Sequence, residues 1–235
     1  YYNGKVKSKL DKDNDEFKNI NTLLIFLDEI RDKNIIDIEK KLIAINKKGV
    51  VLLEAKGIDE IIYKRNLAFS LINRYNINIL KGTKEEINSL IALEDNEKNK
   101  NFNYRNFAKT NDCILIIKDK KYYITDGYSE FYIKNKNKYF NDEEYIDNIY
   151  TGVLASSIGI CNNKSEIIQS VLISTLSFYI AQEASIELFK YQFEDDIDKN
   201  DINLVNEYLL EEISKINVDK IKSYGDVEYY FKRNR

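Results

Sequence analysis

Four short apolar runs, each divided from the next by a helix-length segment, constrain this chain more than any other feature: Thr22–Leu27, Val50–Leu53, Ile77–Leu80 and Cys113–Ile117. They are rich in β-branched and aliphatic residues and have the length of buried strands. Gly49-Val50-Val51-Leu52-Leu53 is apolar on both faces, as suits a parallel strand covered by helices on each side. The segments between carry a helical period. Asn34–Lys47 sets Ile35, Ile38, Leu42 and Ile45 three or four residues apart on one stripe, while Asp37, Glu39 and Lys41 face away. Asn66–Tyr75 and Lys84–Leu93 read the same way. The alternation predicts βαβ units, hence an α/β fold whose mostly parallel central sheet has helices on both faces in three layers.

Tyr122–Ile124 and Phe131–Lys134 flank Thr125-Asp126-Gly127, and Asp-Gly between two β-prone runs predicts a hairpin. The second half turns helical. Ser165–Phe193 has a broad apolar face of Ile168, Val171, Leu172, Thr175, Leu176, Tyr179 and Ile180. Gln169, Ser170, Ser174, Ser177 and Gln182 interrupt it, which predicts a core helix rather than a membrane span. Asn203–Ile216 adds another amphipathic helix. Glu94–Asn111 and Glu194–Asp201 read as solvated connections, and residues 1–20 as a loose or poorly ordered remnant of a single domain spanning 1–235.

Composition then narrows function. With 235 residues, 43% of them hydrophobic, the chain can bury a core in one large domain. Thirty-six Lys and Arg against 39 Asp and Glu leave a net charge of −3, which gives no positive field for a nucleic acid. There is no His, so triads and His-ligated zinc are excluded. Cys113 and Cys161 form neither a disulfide framework nor a zinc spacing and read as inert thiols, which points to a reducing cytoplasm. No run reaches the ~18 apolar residues of a membrane span, and no signal peptide is recognisable. The absence of Met implies that the sequence is trimmed or begins inside a longer product.

Five segments occur in a telling order: Val51-Leu-Leu-Glu-Ala-Lys-Gly57, Lys81-Gly-Thr-Lys-Glu-Glu-Ile87, Ile124-Thr-Asp-Gly127, Thr151-Gly-Val-Leu-Ala-Ser-Ser-Ile-Gly159 and Ala181-Gln-Glu183. Their succession over roughly Leu23–Ile216 resembles hydroxyethylthiazole kinase, a ribokinase-like enzyme of thiamin salvage. The resemblance implies a ribokinase-like fold and a homotrimer. It also implies that ATP and a thiazole alcohol bind at the carboxyl ends of the strands.

Carried across position by position, the resemblance implies a damaged kinase. The family's Asp-Pro-Val-Gly turn matches Glu54-Ala55-Lys56-Gly57, and its Arg-Gly-Asn-x-x-Glu segment matches Lys81-Gly82-Thr83-Lys84-Glu85-Glu86. Glu54 and Glu86 would then face the metal, while Lys81 and Thr83 would face the nucleotide, without the bidentate guanidinium or the amide. The Thr-Gly that touches ATP matches Lys118-Asp119. The Gly-Thr-Gly-Cys anion hole at a helix start matches Tyr150-Thr151-Gly152-Val153, so Tyr150 crowds the cradle and Val153, at the catalytic position beside Gly152, cannot accept a proton. At the amino terminus Tyr1–Val6 bears no likeness to the family's thiazole-binding turn; Val6 and Tyr150 stand at substrate-side positions.

Simpler readings stand beside these. Glu85 and Glu86 suit the first turn of any helix, Asp126-Gly127 suits a turn, and Thr151-Gly152 suits a generic helix start. Lys118–Lys121 suits a solvated turn. Tyr122, Tyr123, Tyr128 and Tyr132 either stack on a nucleobase or fill the core. The expectation is a degenerate relative of hydroxyethylthiazole kinase, weak or lacking in phosphoryl transfer, which binds a small molecule or nucleotide and forms a homo-oligomer without nucleic-acid or membrane partners. The alternatives are an active kinase using ATP and Mg2+ and a non-enzymatic assembly subunit.

Overall fold

The parallel sheet anticipated from the apolar runs is present in the computed structural model, which describes residues 20–45, 49–94, 103–134, 144–193 and 201–231. In chain order the elements are β1 (Thr22–Phe26), α1 (Ile35–Ile45), β2 (Val50–Glu54), α2 (Ile62–Arg74), β3 (Ile79–Thr83), α3 (Lys84–Glu94), α4 (Tyr104–Thr110), β4 (Ile114–Lys118), β5 (Lys121–Thr125) and β6 (Ser129–Lys134). There follow α5 (Glu144–Ile158), α6 (Lys164–Phe193), α7 (Ile202–Lys215), α8 (Val218–Tyr224) and β7 (Val227–Phe231). The seven strands lie in sheet order β1 to β7; β1 to β4 run parallel and β5 turns back antiparallel to β4.

Two compact units divide the chain, one of residues 20–132 and 228–231, the other of 133–227. In the first, alternation along the strands decides which side chains meet the helices. Val51 and Leu53 of β2, Leu80 of β3 and Leu115 and Ile117 of β4 share one core with Leu42 and Ile45 of α1, Leu71 of α2, Ile87 and Leu90 of α3 and Phe107 of α4. Each such aliphatic side chain contributes roughly 1.5–3 kcal/mol on full burial. All five residues of β2 are buried, as its two-faced apolar run predicts. The β5–β6 turn is fixed by its own side chains. Asp126 Oδ1 accepts from the Tyr128 and Ser129 N–H groups (2.9 and 2.7 Å), and Gly127 takes φ +88°, a conformation that favours glycine.

In the second unit α6 carries the core. Asn163 Oδ1 accepts from the Glu166 N–H (3.0 Å) and its amide donates back to Glu166 Oε1 (2.7 Å), which sets the helix start. Phe178 of α6 packs on Tyr150 of α5 with ring centroids 5.2 Å apart, and Val205, Leu209 and Ile213 give α7 its buried stripe. No helix among the described residues is long and apolar enough to cross a membrane.

Three elements correct the expectations. The polar stretch Glu94–Asn111 contains α4, capped by Asn103, whose Oδ1 accepts from the Asn106 N–H (2.9 Å). α8 and β7 follow the last expected helix. Residues 1–19, including Val6, and residues 194–200 of the second expected connection lie outside the described residues.

Candidate functional site

At the carboxyl ends of β2 and β3 the register sets Glu54 directly beside Lys81. Lys81 Nζ donates to Glu54 Oε1 at 2.7 Å, with the two residues only 2% and 4% exposed. The acid expected at a metal and the cation expected at a phosphate thus neutralise each other inside the sheet. A buried pair of this kind barely breaks even against apolar packing, but loss of one partner is costly.

Glu86 lies in the first turn of α3 and is 7% exposed. Its Oε2 accepts from the Thr83 N–H (2.7 Å), while Thr83 Oγ1 accepts from the Glu86 N–H (3.3 Å), a reciprocal capping box already written as Thr83-x-x-Glu86. Its Oε1 accepts from the Gly57 N–H (2.7 Å) in the turn after β2, where Gly57 has φ +72°. Arg65 of α2 holds the other side of this turn by donating to the Ile58 and Asp59 carbonyls (3.0 and 2.6 Å). Lys56 reaches Asp28 after β1 at 3.5 Å. The bracing by Arg65 and by the Gly57 N–H has no signature in sequence spacing.

No group of three or more Cys, Asp and Glu able to hold a metal occurs among the described residues. Glu54 is bonded to Lys81 and Glu86 to two backbone amides, so these two carboxylates as arranged do not fit a magnesium ion.

Lys118 ends β4, and the following Asp119 forms an ion pair with Lys84 at the start of α3 (3.2 Å). The Lys120 N–H and Lys84 together hold the Asp119 carboxyl below its ordinary value. Of the four tyrosines considered for stacking, Tyr122 and Tyr123 are buried and Tyr128 is exposed. Tyr123 and Tyr132 rings stand 5.0 Å apart; burial, aided by a hydrogen bond to Glu130, pushes the Tyr123 hydroxyl far above its ordinary value. Burial likewise pushes the Cys161 thiol up, away from reactivity.

In the second unit the expectation for Tyr150–Val153 is corrected. These residues do not open a helix: they fall inside α5, which already runs from Glu144. The Thr151 hydroxyl donates to the Asp147 carbonyl (2.9 Å), the i−4 contact of a helix interior, where backbone N–H groups are engaged along the axis. Tyr150 is 1% exposed with its hydroxyl 2.7 Å from Thr175 Oγ1, and Val153 is buried. Ile146, Tyr150, Val153 and Leu154 carry the helical period that marks this segment in the sequence.

No protein-family model matches the sequence, and no curated protein matches it. Solved structures do. The chain is similar to the structure of a hydroxyethylthiazole kinase protein from Pyrococcus horikoshii OT3, with TM-score 0.71 and 14% identity over 92% of this chain and 80% of that one. It is also similar to adenosine kinase from Sinorhizobium meliloti, with TM-score 0.51 and 10% identity over 71% of this chain and 51% of that one. The order of strands, the parallel register of β1 to β4 and these likenesses agree: the chain has the ribokinase-like α/β fold of hydroxyethylthiazole kinase.

Proposed function

We propose that the chain is a degenerate hydroxyethylthiazole-kinase-like protein in which phosphoryl transfer is weak or lost and binding of a small molecule or nucleotide at the carboxyl ends of the strands is kept. The observation that carries this reading is the position of Tyr150–Val153 inside α5. An anion hole needs unengaged amides at a helix head, and a hydroxyl acceptor needs a base. Helical amides and a valine supply neither. Losing each device costs on the order of 10²-fold or more in rate. The buried Glu54–Lys81 pair supports the same reading, because its charges are directed at each other. Any residual transfer would use ATP and Mg2+. A homotrimer in the cytoplasm, with neither nucleic acid nor membrane as partner, completes the proposal.

The test combines calorimetric titration of ATP–Mg and of the thiazole alcohol with an assay for ADP, and light scattering for assembly. Binding of one ligand with no ADP above background supports the reading. Multiple turnovers with both ligands would replace it by an active kinase. A stable trimer that binds neither would replace it by an assembly subunit.

A further inference from the structure

Glu86 is placed where the resemblance would put a metal ligand, yet both its oxygens serve the backbone. One accepts from the Gly57 N–H and the other from the Thr83 N–H, each at 2.7 Å. These charge-assisted bonds join two segments 26 residues apart in sequence, the turn after β2 and the head of α3. Gly82 leaves room for the carboxylate; a Cβ there would stand 3.1 Å from Glu86 Oε2. The turn is gripped by its N–H from Glu86 and by its carbonyls from Arg65. We infer that Glu86 is a positioning residue: it straps Gly57 to the start of α3 and so fixes the Ala55–Gly57 turn against which a ligand at the strand ends would rest. The inference rests on the reading above only in that last clause.

Removing the charge tests it without dissolving the fold, because Arg65 still holds Ile58 and Asp59. Glu86→Gln keeps one acceptor and turns an N–H donor toward the other amide, so one bond is lost. Amide exchange is followed by NMR on the full chain. Protection of Gly57 or Thr83 is expected to fall about tenfold or more in Glu86→Gln, with Leu71 and Ile116 unchanged. Thr83→Val, which removes only the reciprocal hydroxyl, is expected to leave Gly57 protected. Unchanged protection of both amides in Glu86→Gln would overturn the strap. So would Mg2+ alone shifting the Gly57 and Thr83 resonances in wild type but not in Glu86→Gln, the signature of a metal ligand.

ATP–Mg titrated into the same samples separates the two ideas. Affinity about tenfold weaker in Glu86→Gln supports the positioning role, and equal affinity despite lost protection overturns it. Wild type that binds no ATP–Mg counts against nucleotide binding by this fold, while the exchange result still decides the strap.

Discussion

Gly152 is exposed on α5, and a Cβ built on it meets nothing within 4 Å. Glycine in a helix interior is about 0.5–1 kcal/mol worse than alanine. Gly152→Ala is therefore expected to stabilise the protein by about that amount in urea denaturation, whereas a glycine lining a phosphate cradle would give a loss. Lys81 is the opposite case. Lys81→Met leaves Glu54 buried without its cation and is expected to cost about 3–5 kcal/mol. The double change Glu54→Leu with Lys81→Met should recover most of that, since paired apolar side chains satisfy the same interior. A double change as unstable as the single one would mean that the pair holds the sheet end by more than mutual neutralisation.

At the scale of elements, α7 and α8 are joined by charge. Glu212 of α7 accepts from Lys215 (2.9 Å) and from Lys220 of α8 (3.3 Å). Burial works against its ionisation, but the two lysines prevail and hold the carboxyl below its ordinary 4.5. A depressed folded value means stability that is fully present above about pH 4.5 and is lost as pH falls through the folded value. Glu212→Gln should lower stability at pH 7 and flatten the loss below pH 4.5; an unaltered acid limb in urea titrations would refute the link. Elements of this kind differ in how openly the sequence displays them. The strands β1 to β4 were legible as short apolar runs set between helix-length segments, and the helices α1, α3, α6 and α7 by their apolar period. The Asp126-Gly127 hairpin was legible because its turn chemistry is local. The short α4 and α8 were not: seven residues each hold little period, and their signal is an Asn cap, Asn103 or Asn217, bonded to the amide three residues on. Tyr150–Val153 was misplaced because Thr151-Gly152 suits a helix start, while the period through Ile146 and Tyr150 extends the helix further back. At Glu86 the acid suited to a helix's first turn was visible in sequence, but its bond to the Gly57 N–H depends on a turn that only folding brings near.

The whole molecule places its strands in space in the order in which the chain makes them, β1 to β7. With no His, the groups whose ordinary values fall nearest neutrality are the terminal amine and the thiols of Cys113 and Cys161. Among the described residues the resolved shifts lead away from neutrality. Asp119, Glu166 and Glu212 are lowered, and Lys84, Lys215, Cys161 and four tyrosines, Tyr63, Tyr104, Tyr123 and Tyr132, are raised, so each moves away from pH 7. The slope of stability against pH follows the difference in protons bound by the unfolded and folded chains, and that difference is near zero when no group changes state. Unfolding free energies measured in urea at pH 6, 7 and 8 should therefore agree to within about 0.5 kcal/mol. A larger drift would require an acid, amine or thiol whose protonation changes strongly on unfolding in this window, and the chain's charge would then not be fixed at neutrality.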